Sequence, residues 1–158
     1  MIPPLTHARR LALLVPAIAL GGALGSQYLG GLYPCEMCHW QRWPHYAALA
    51  LALVAFAVRG DRSVRPLVLL ASLAIFVSGA IGVYHAGVEY RWWEGLTTCT
   101  GLATGGSSAD IMKQILAAPI VRCDQPQWTL AGISLAGFNA LFSIPAAIAI
   151  WVLCLKPR

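Results

Sequence analysis

The chain has 158 residues, one domain by length, of which 58% are apolar and 11% charged. Soluble domains run to roughly 45–50% apolar and about 25% charged. A chain this short has no core large enough to hide the excess, so the composition points to the bilayer as solvent. The net charge of +5 is scattered through short segments and forms no stripe, which excludes an ordinary basic nucleic-acid interface. The lack of low-complexity or charge-rich tracts excludes disorder.

Crossing about 30 Å of hydrocarbon takes about 20 apolar residues. On that measure the sequence predicts an all-α membrane protein. It reads as one domain over 1–158 with four transmembrane helices at about 11–29, 40–58, 66–84 and 135–155. Arg9 and Arg10 precede the first run, which also suits a signal peptide. The run is long for that, and its removal would leave three spans. Pro16, Gly21, Gly22 and Gly25 in it need no role beyond letting helices approach. The second run is short. Only 16 uncharged residues separate Arg42 from Arg59, roughly 24 Å of helix. Its helix therefore starts earlier, near 35–39, or else at Pro44, a residue suited to a first helical turn.

Two outer loops follow from this threading, at about 30–42 and 86–132. The second carries a Gly/Ser stretch, 104–108, and then a short predicted helix with Ser108 as cap, Asp110 in the first turn and Pro119 beyond. Ile111, Met112, Ile115 and Leu116 fall on one face, and Asp110, Lys113 and Gln114 on the other. Such a helix is expected to lie flat on the interface or to pack on the loop. Orientation follows the basic residues. Arg9, Arg10, Arg59, Arg62, Arg65, Lys156 and Arg158 crowd the short inner segments, against Arg42, Arg91, Lys113 and Arg122 in the long outer loops. Both termini are thus expected to be cytoplasmic. Trp40, Trp43, Trp92, Trp93 and Trp128 flank the outer loops, where indole rings favour the interface.

Of the five cysteines, Cys35 and Cys38 fall in the first outer loop and Cys99 and Cys123 in the second. That is the compartment where disulfides persist. Cys154, at the inner end of the last span, reads as a packing residue. Cys35-Glu36-Met37-Cys38 is a Cys-x-x-Cys pair at a helix start, where N–H groups favour a thiolate. Alone it suits redox exchange, half a zinc site, or, with His39, haem attachment. The loop around it is short for a porphyrin, and haem leaves Cys99 and Cys123 without a role. Those two are 24 positions apart, not the two to four usual between paired zinc ligands. A disulfide between them would contribute roughly 3–4 kcal/mol as a brace. Gly101, Gly105 and Gly106 suit exchange better. Arg42 lies one helical turn after Cys38 and faces the same side, either to hold an acceptor beside that sulfur or to snorkel to the interface. His85 and Glu89, also four apart, end the third span.

These residues resemble the DsbB family of quinone-linked thiol oxidases. The likeness covers nearly the whole chain: four spans, Pro34-Cys35-Glu36-Met37-Cys38 with Arg42, Tyr84-His85-x-Gly87-Val88-Glu89, and Cys123-Asp124 followed by Trp128, Gly132, Ser134 and Asn139. Gln41 stands where some members carry an acidic residue. The resemblance implies a bacterial inner-membrane enzyme in a periplasm kept oxidising by quinone. A reduced DsbA-like thioredoxin-fold partner attacks Cys99 of a Cys99–Cys123 disulfide. Electrons pass to Cys35–Cys38, through a transient Cys35–Cys123 bond, and Cys38 reduces a bound ubiquinone or menaquinone. Arg42 and His85 are then the cofactor-binding residues, and no metal is expected. The rival readings are a paralogue dedicated to one partner, a haem-binding electron carrier using Cys-x-x-Cys-His, and a bundle with structural disulfides.

Overall fold

The computed structural model describes residues 3–95, 107–109, 112 and 121–156. Among them are four long helices: α1 (Pro3–Tyr28), α2 (Glu36–Ala57), α3 (Asp61–Glu89) and α4 (Leu135–Leu155). Each apolar run lies within a longer helix. α1 takes in Arg9 and Arg10, and α3 takes in Arg62 and Arg65 at one end and His85 and Glu89 at the other. An apolar run marks what lipid can cover, whereas the helix continues while its backbone hydrogen bonds are favourable. α2 starts at Glu36, with Cys35 as its N-cap and Pro44 inside it. This decides for the earlier of the two expected starts.

Three helices, α1, α3 and α4, are long and apolar enough to cross a membrane. α2 is long enough, but its first half carries Glu36, His39, Gln41, Arg42 and His45, which dilute its apolar character. Of the short helix expected after Ser108, only 108, 109 and 112 are described, all helical. The rest of it, with Cys99 and the stretch 96–106, lies outside the described residues.

Cross-helix contacts set the arrangement. Arg9 Nη1 donates to Ala55 O at 3.3 Å, while Arg42 Nη2, at the other end of α2, donates to Ala23 O at 3.0 Å. α1 and α2 are therefore antiparallel. Ser72 Oγ donates to Ala147 O and Asn139 Nδ2 to Ser78 O, so α3 and α4 are antiparallel too. The end of α1, the start of α2, the end of α3 and the start of α4 share one end of the bundle. That is the cysteine end. Small residues let the axes approach. A Cβ on Gly82 of α3 would come within 2.9 Å of Ala136 O in α4.

The core fills the half of the bundle away from Cys35. Leu5, Ala8, Ala12 and Val15 of α1 meet Ala48, Ala52 and Ala55 of α2, Val64, Val68, Ala71 and Ile75 of α3, and Ala147 and Ile150 of α4. Cys154 is fully buried in this cluster. Outward, Leu14, Ile18, Leu53, Leu70, Leu141 and Val152 are about half exposed or more, an apolar coat suited to lipid. One feature has no counterpart in the sequence reading. β1 (Thr129–Leu130) pairs antiparallel with β2 (Ile133–Ser134), around Ala131 and Gly132 with φ of 51° and 79°. Two left-handed central residues make a two-residue hairpin. It delivers Ser134 as the N-cap of α4, where its Oγ accepts from Gly137 N at 3.1 Å.

Candidate functional site

The site begins at the N-terminus of α2. Cys35 is 2% exposed, and its sulfur accepts from Cys38 N at 3.2 Å. One helical turn brings the two sulfurs to 2.7 Å. Cys123 joins them, buried in one cluster with Cys35, Met37 and Val88. Hydrogen bonding to Cys123, then to Cys38, together with burial, pushes the Cys35 thiol well up. The hydrogen bond from Cys35 pulls the Cys38 thiol down, against its burial. A hydrogen bond from one sulfur to the other stabilises the accepting sulfur as a thiolate.

Two neighbours close the cluster. From α3, His85 Nε2 lies 3.5 Å from Cys35 Sγ and 3.7 Å from Glu89 Oε1. From the second outer loop, Gln127 donates to the Tyr33 carbonyl and ties 121–128 to the first loop. Beside Cys123, Arg122 Nε bonds Asp124 Oδ1 at 2.8 Å, and the guanidinium holds that carboxyl below its usual range. At the end of α3, Trp93 folds back over Gly87, where a Cβ would run into its ring. Trp93 Nε1 donates to Tyr84 O at 2.9 Å. Gly87 is thus required because an indole occupies the place of its side chain.

Beyond Cys38 lies a cavity of about 370 Å³ between α1, α2 and α4. Ala23, Cys38, Arg42, His45, Phe138 and Phe142 are among its walls. Its size and mostly apolar lining with a few polar groups are those of a small-molecule site. Arg42 is fixed at its edge by Gln27 Oε1 and the Ala23 carbonyl, so its guanidinium is oriented rather than free to snorkel. A second cavity, about 50 Å³, is shared by Cys35, Cys38, Arg42, His85 and Glu89. Cys38 and Arg42 therefore stand between the two. His85 lines the small cavity and not the large one.

Along the cavity wall, and behind it, runs a buried polar network. Gln41 bonds His85 Nδ1 at 2.7 Å, and Asn139 Nδ2 donates to Gln41 Oε1 at 2.8 Å. His45 Nε2 lies 3.0 Å from Asn139 Oδ1. Ser143 Oγ donates to the same oxygen at 2.9 Å, and Ser78 Oγ donates to Gln41 O at 2.8 Å. His45 did not figure in the sequence reading, and neither did Ser78, Ser143 or Gln27. The available signal was polar residues inside apolar helices at a spacing of four, Gln41 with His45 and Asn139 with Ser143. Intramembrane polar side chains mark functional sites.

Of the residues expected to act, Cys35, Cys38, Cys123 and His85 come together, and Arg42 shares a wall with Cys38. Donor atoms of Cys35, Cys38 and His85 all lie within 4.8 Å of one another, a set that thiol–imidazole redox chemistry and a thiophilic metal can both use. The family model for the disulfide bond formation protein DsbB matches residues 6–153. The chain belongs to the DsbB family. It is similar to the uncharacterized protein RP370 of Rickettsia prowazekii (strain Madrid E), at 24% identity over 147 residues, 91% of this chain and 84% of the relative. No solved structure matches. Membership in the DsbB family makes this a membrane protein of disulfide-bond formation, with disulfide oxidoreductase chemistry. The cysteine cluster is where such chemistry has its residues.

Proposed function

We propose that this protein oxidises a DsbA-like periplasmic dithiol protein and passes the electrons to a membrane quinone. The observation that carries this reading is one contiguous path. Cys123 packs on Cys35, Cys35 bonds Cys38, and Cys38 lines the large cavity with Arg42. In this reading all four long helices cross a bacterial inner membrane, with both termini cytoplasmic and the cysteine end periplasmic. The helix after Ser108 lies on the interface.

The partner's thiolate attacks Cys99 of the Cys99–Cys123 disulfide, and Cys123 leaves as thiolate. Cys123 then attacks Cys35 of the Cys35–Cys38 disulfide, a step its contact with Cys35 favours, and Cys38 leaves as thiolate. Each exchange breaks one S–S bond and forms one. The partner's second thiol releases it as a disulfide, and Cys99 retakes Cys123, leaving Cys35 and Cys38 with two electrons. A quinone in the large cavity supplies an acceptor for two electrons and two protons. The residues present fit such a group: apolar walls for the ring, a fixed cation at Arg42 for an oxygen that gains charge, and Cys38 in the same wall. His85 acts on the sulfur side, against Cys35.

The test is anaerobic mixing of the purified protein with reduced partner and a soluble quinone, followed by quinone absorbance. Wild type should turn over. Cys99→Ser should form no mixed disulfide with the partner, yet still reduce quinone after chemical reduction. Cys38→Ser should exchange once with the partner and reduce no quinone. Cys154→Ser should do both. A requirement for Cys154 together with a dispensable Cys99 would overturn the assignment. A haem spectrum would favour the electron-carrier reading. Stoichiometric zinc bound to reduced protein would favour a metal site.

A further inference from the structure

Two backbone carbonyls orient the amide of Gln41, and through it the ring of His85. A carbonyl only accepts. Gln41 Nε2 donates to Met37 O at 3.3 Å. Asn139 Nδ2 donates to Ser78 O at 3.1 Å and to Gln41 Oε1 at 2.8 Å. The nitrogen of Gln41 is therefore the atom that faces His85 Nδ1, at 2.7 Å. An amide nitrogen only donates, so His85 Nδ1 accepts and the ring hydrogen sits on Nε2. An imidazolium would set two N–H groups against each other across that contact, so the ring is neutral.

The Nε2–H points at the cysteines. Cys35 Sγ lies 3.5 Å away, an ordinary length for a hydrogen bond to an atom as large as sulfur. Glu89 Oε1, at 3.7 Å, is too far for one. The same ring also bonds the backbone of Cys123. His85 thus stands against both residues of the transient Cys35–Cys123 bond. With Nδ1 taken and a hydrogen already on Nε2, the ring has no site for a further proton. It is a donor and not a base. One step of the exchange needs a donor. When Cys99 retakes Cys123, Cys35 leaves with the electron pair of the broken bond. Hydrogen bonding to its neighbouring sulfurs and burial push the Cys35 thiol well up, and such a thiol leaves slowly unless its charge is met.

We propose that Gln41 holds His85 as a neutral donor, and that His85 Nε2–H stabilises Cys35 as the thiolate that leaves Cys123. In this step the Cys35–Cys123 bond breaks and the Cys99–Cys123 bond forms. The electron pair goes to Cys35, and no proton moves to the ring. The inference rests on the cysteine relay of the proposed function, and gives His85 a catalytic role and Gln41 a positioning one. A hydrogen bond strengthens as negative charge gathers on its acceptor. Once Cys35 has taken a proton from water the bond is weak again, so His85 changes the rate of exchange more than its equilibrium. A carboxylate at position 41 would accept instead of donate, and would call for a hydrogen on both ring nitrogens.

The test uses full-length protein carrying Cys38→Ser, in which one disulfide is shared between two isomers, Cys99–Cys123 and Cys35–Cys123. In acid the thiols are protonated and exchange stops. The isomers are separated there, returned to neutral pH, quenched at intervals and mapped by mass spectrometry. His85→Phe should slow interchange about tenfold, the low end for a hydrogen bond to a charged group, and leave the final ratio near its original value. His85→Gln, whose amide nitrogen donates from a similar reach, should recover part of the rate. ¹⁵N-histidine spectra of the same protein, with its four histidines assigned by substitution, should show His85 with a protonated Nε2 and a bare Nδ1. In Gln41→Glu both nitrogens should be protonated. An unchanged rate in His85→Phe, a ring with its hydrogen on Nδ1, or an unaltered ring in Gln41→Glu would each overturn this inference and leave the relay intact. Absence of any Cys35–Cys123 isomer overturns the relay, and this inference with it.

Discussion

At the scale of single residues, the environment divides labour among like groups. Cys35 and Cys38 share a motif, yet Cys35 is the N-cap of α2 and packs on Cys123, while Cys38 lies inside the helix and lines the large cavity. Arg42 was legible from its spacing after Cys38, but not its anchoring. Gln27 lies on another helix, and nothing in the sequence joins positions 27 and 42. That anchoring leads to a prediction. Arg42→Leu should weaken quinone use by about 10- to 150-fold, the range for a hydrogen bond from a charged donor. Arg42→Lys should recover only part, because an ammonium cannot serve Gln27, the Ala23 carbonyl and a ligand with one planar fork. Quinone titration of the three proteins, with mixed-disulfide formation unchanged in all, is the measurement. Identical quinone kinetics would reduce Arg42 to a helix clamp.

At the scale of elements, the bundle depends on where the helices can touch. Gly82 sits where the backbone of α4 leaves no room for a Cβ. Gly21 faces open space in the middle of α1, with nothing within 4 Å of its would-be Cβ. Gly82→Ala should therefore destabilise the protein by about 1–3 kcal/mol, the range for overpacking. Gly21→Ala should be neutral, or stabilising by up to about 1 kcal/mol, since alanine is the better helix former. Thermal unfolding of both variants in detergent checks the contrast. Equal midpoints would mean that α3 and α4 have room to separate. Both glycines lie in apolar stretches, and their difference is invisible until the helices are packed.

At the scale of the whole molecule, charge and chemistry lie at opposite ends. The cysteines stand where α1 and α3 end and α2 and α4 begin. Arg9, Arg59, Arg62, Arg65 and Lys156 stand at the other end. The proposed orientation, with the cysteine end outside, is the one that the positive-inside rule predicts for this charge distribution. A phosphatase fused after residue 158 should be inactive, and one inserted between Ser107 and Ser108 active. An active fusion after residue 158 would put the cysteines in the reducing compartment and end the oxidase reading.

The sequence by itself determined the solvent, the helical class, the pairing of Cys35 with Cys38 and the family. Each follows from local composition, from spacing within one helical turn, or from motifs. Only the tertiary structure decided what stands against what. Cys123 meets Cys35 because Gln127 ties the second loop to the first. His85 faces the sulfurs and not the large cavity because α3 presents it behind Gln41. His45 became visible only when Asn139, 94 positions away, was found holding one of its nitrogens. Hydrogen bonds between helices depend on axial register and rotation, which packing sets and no local pattern encodes.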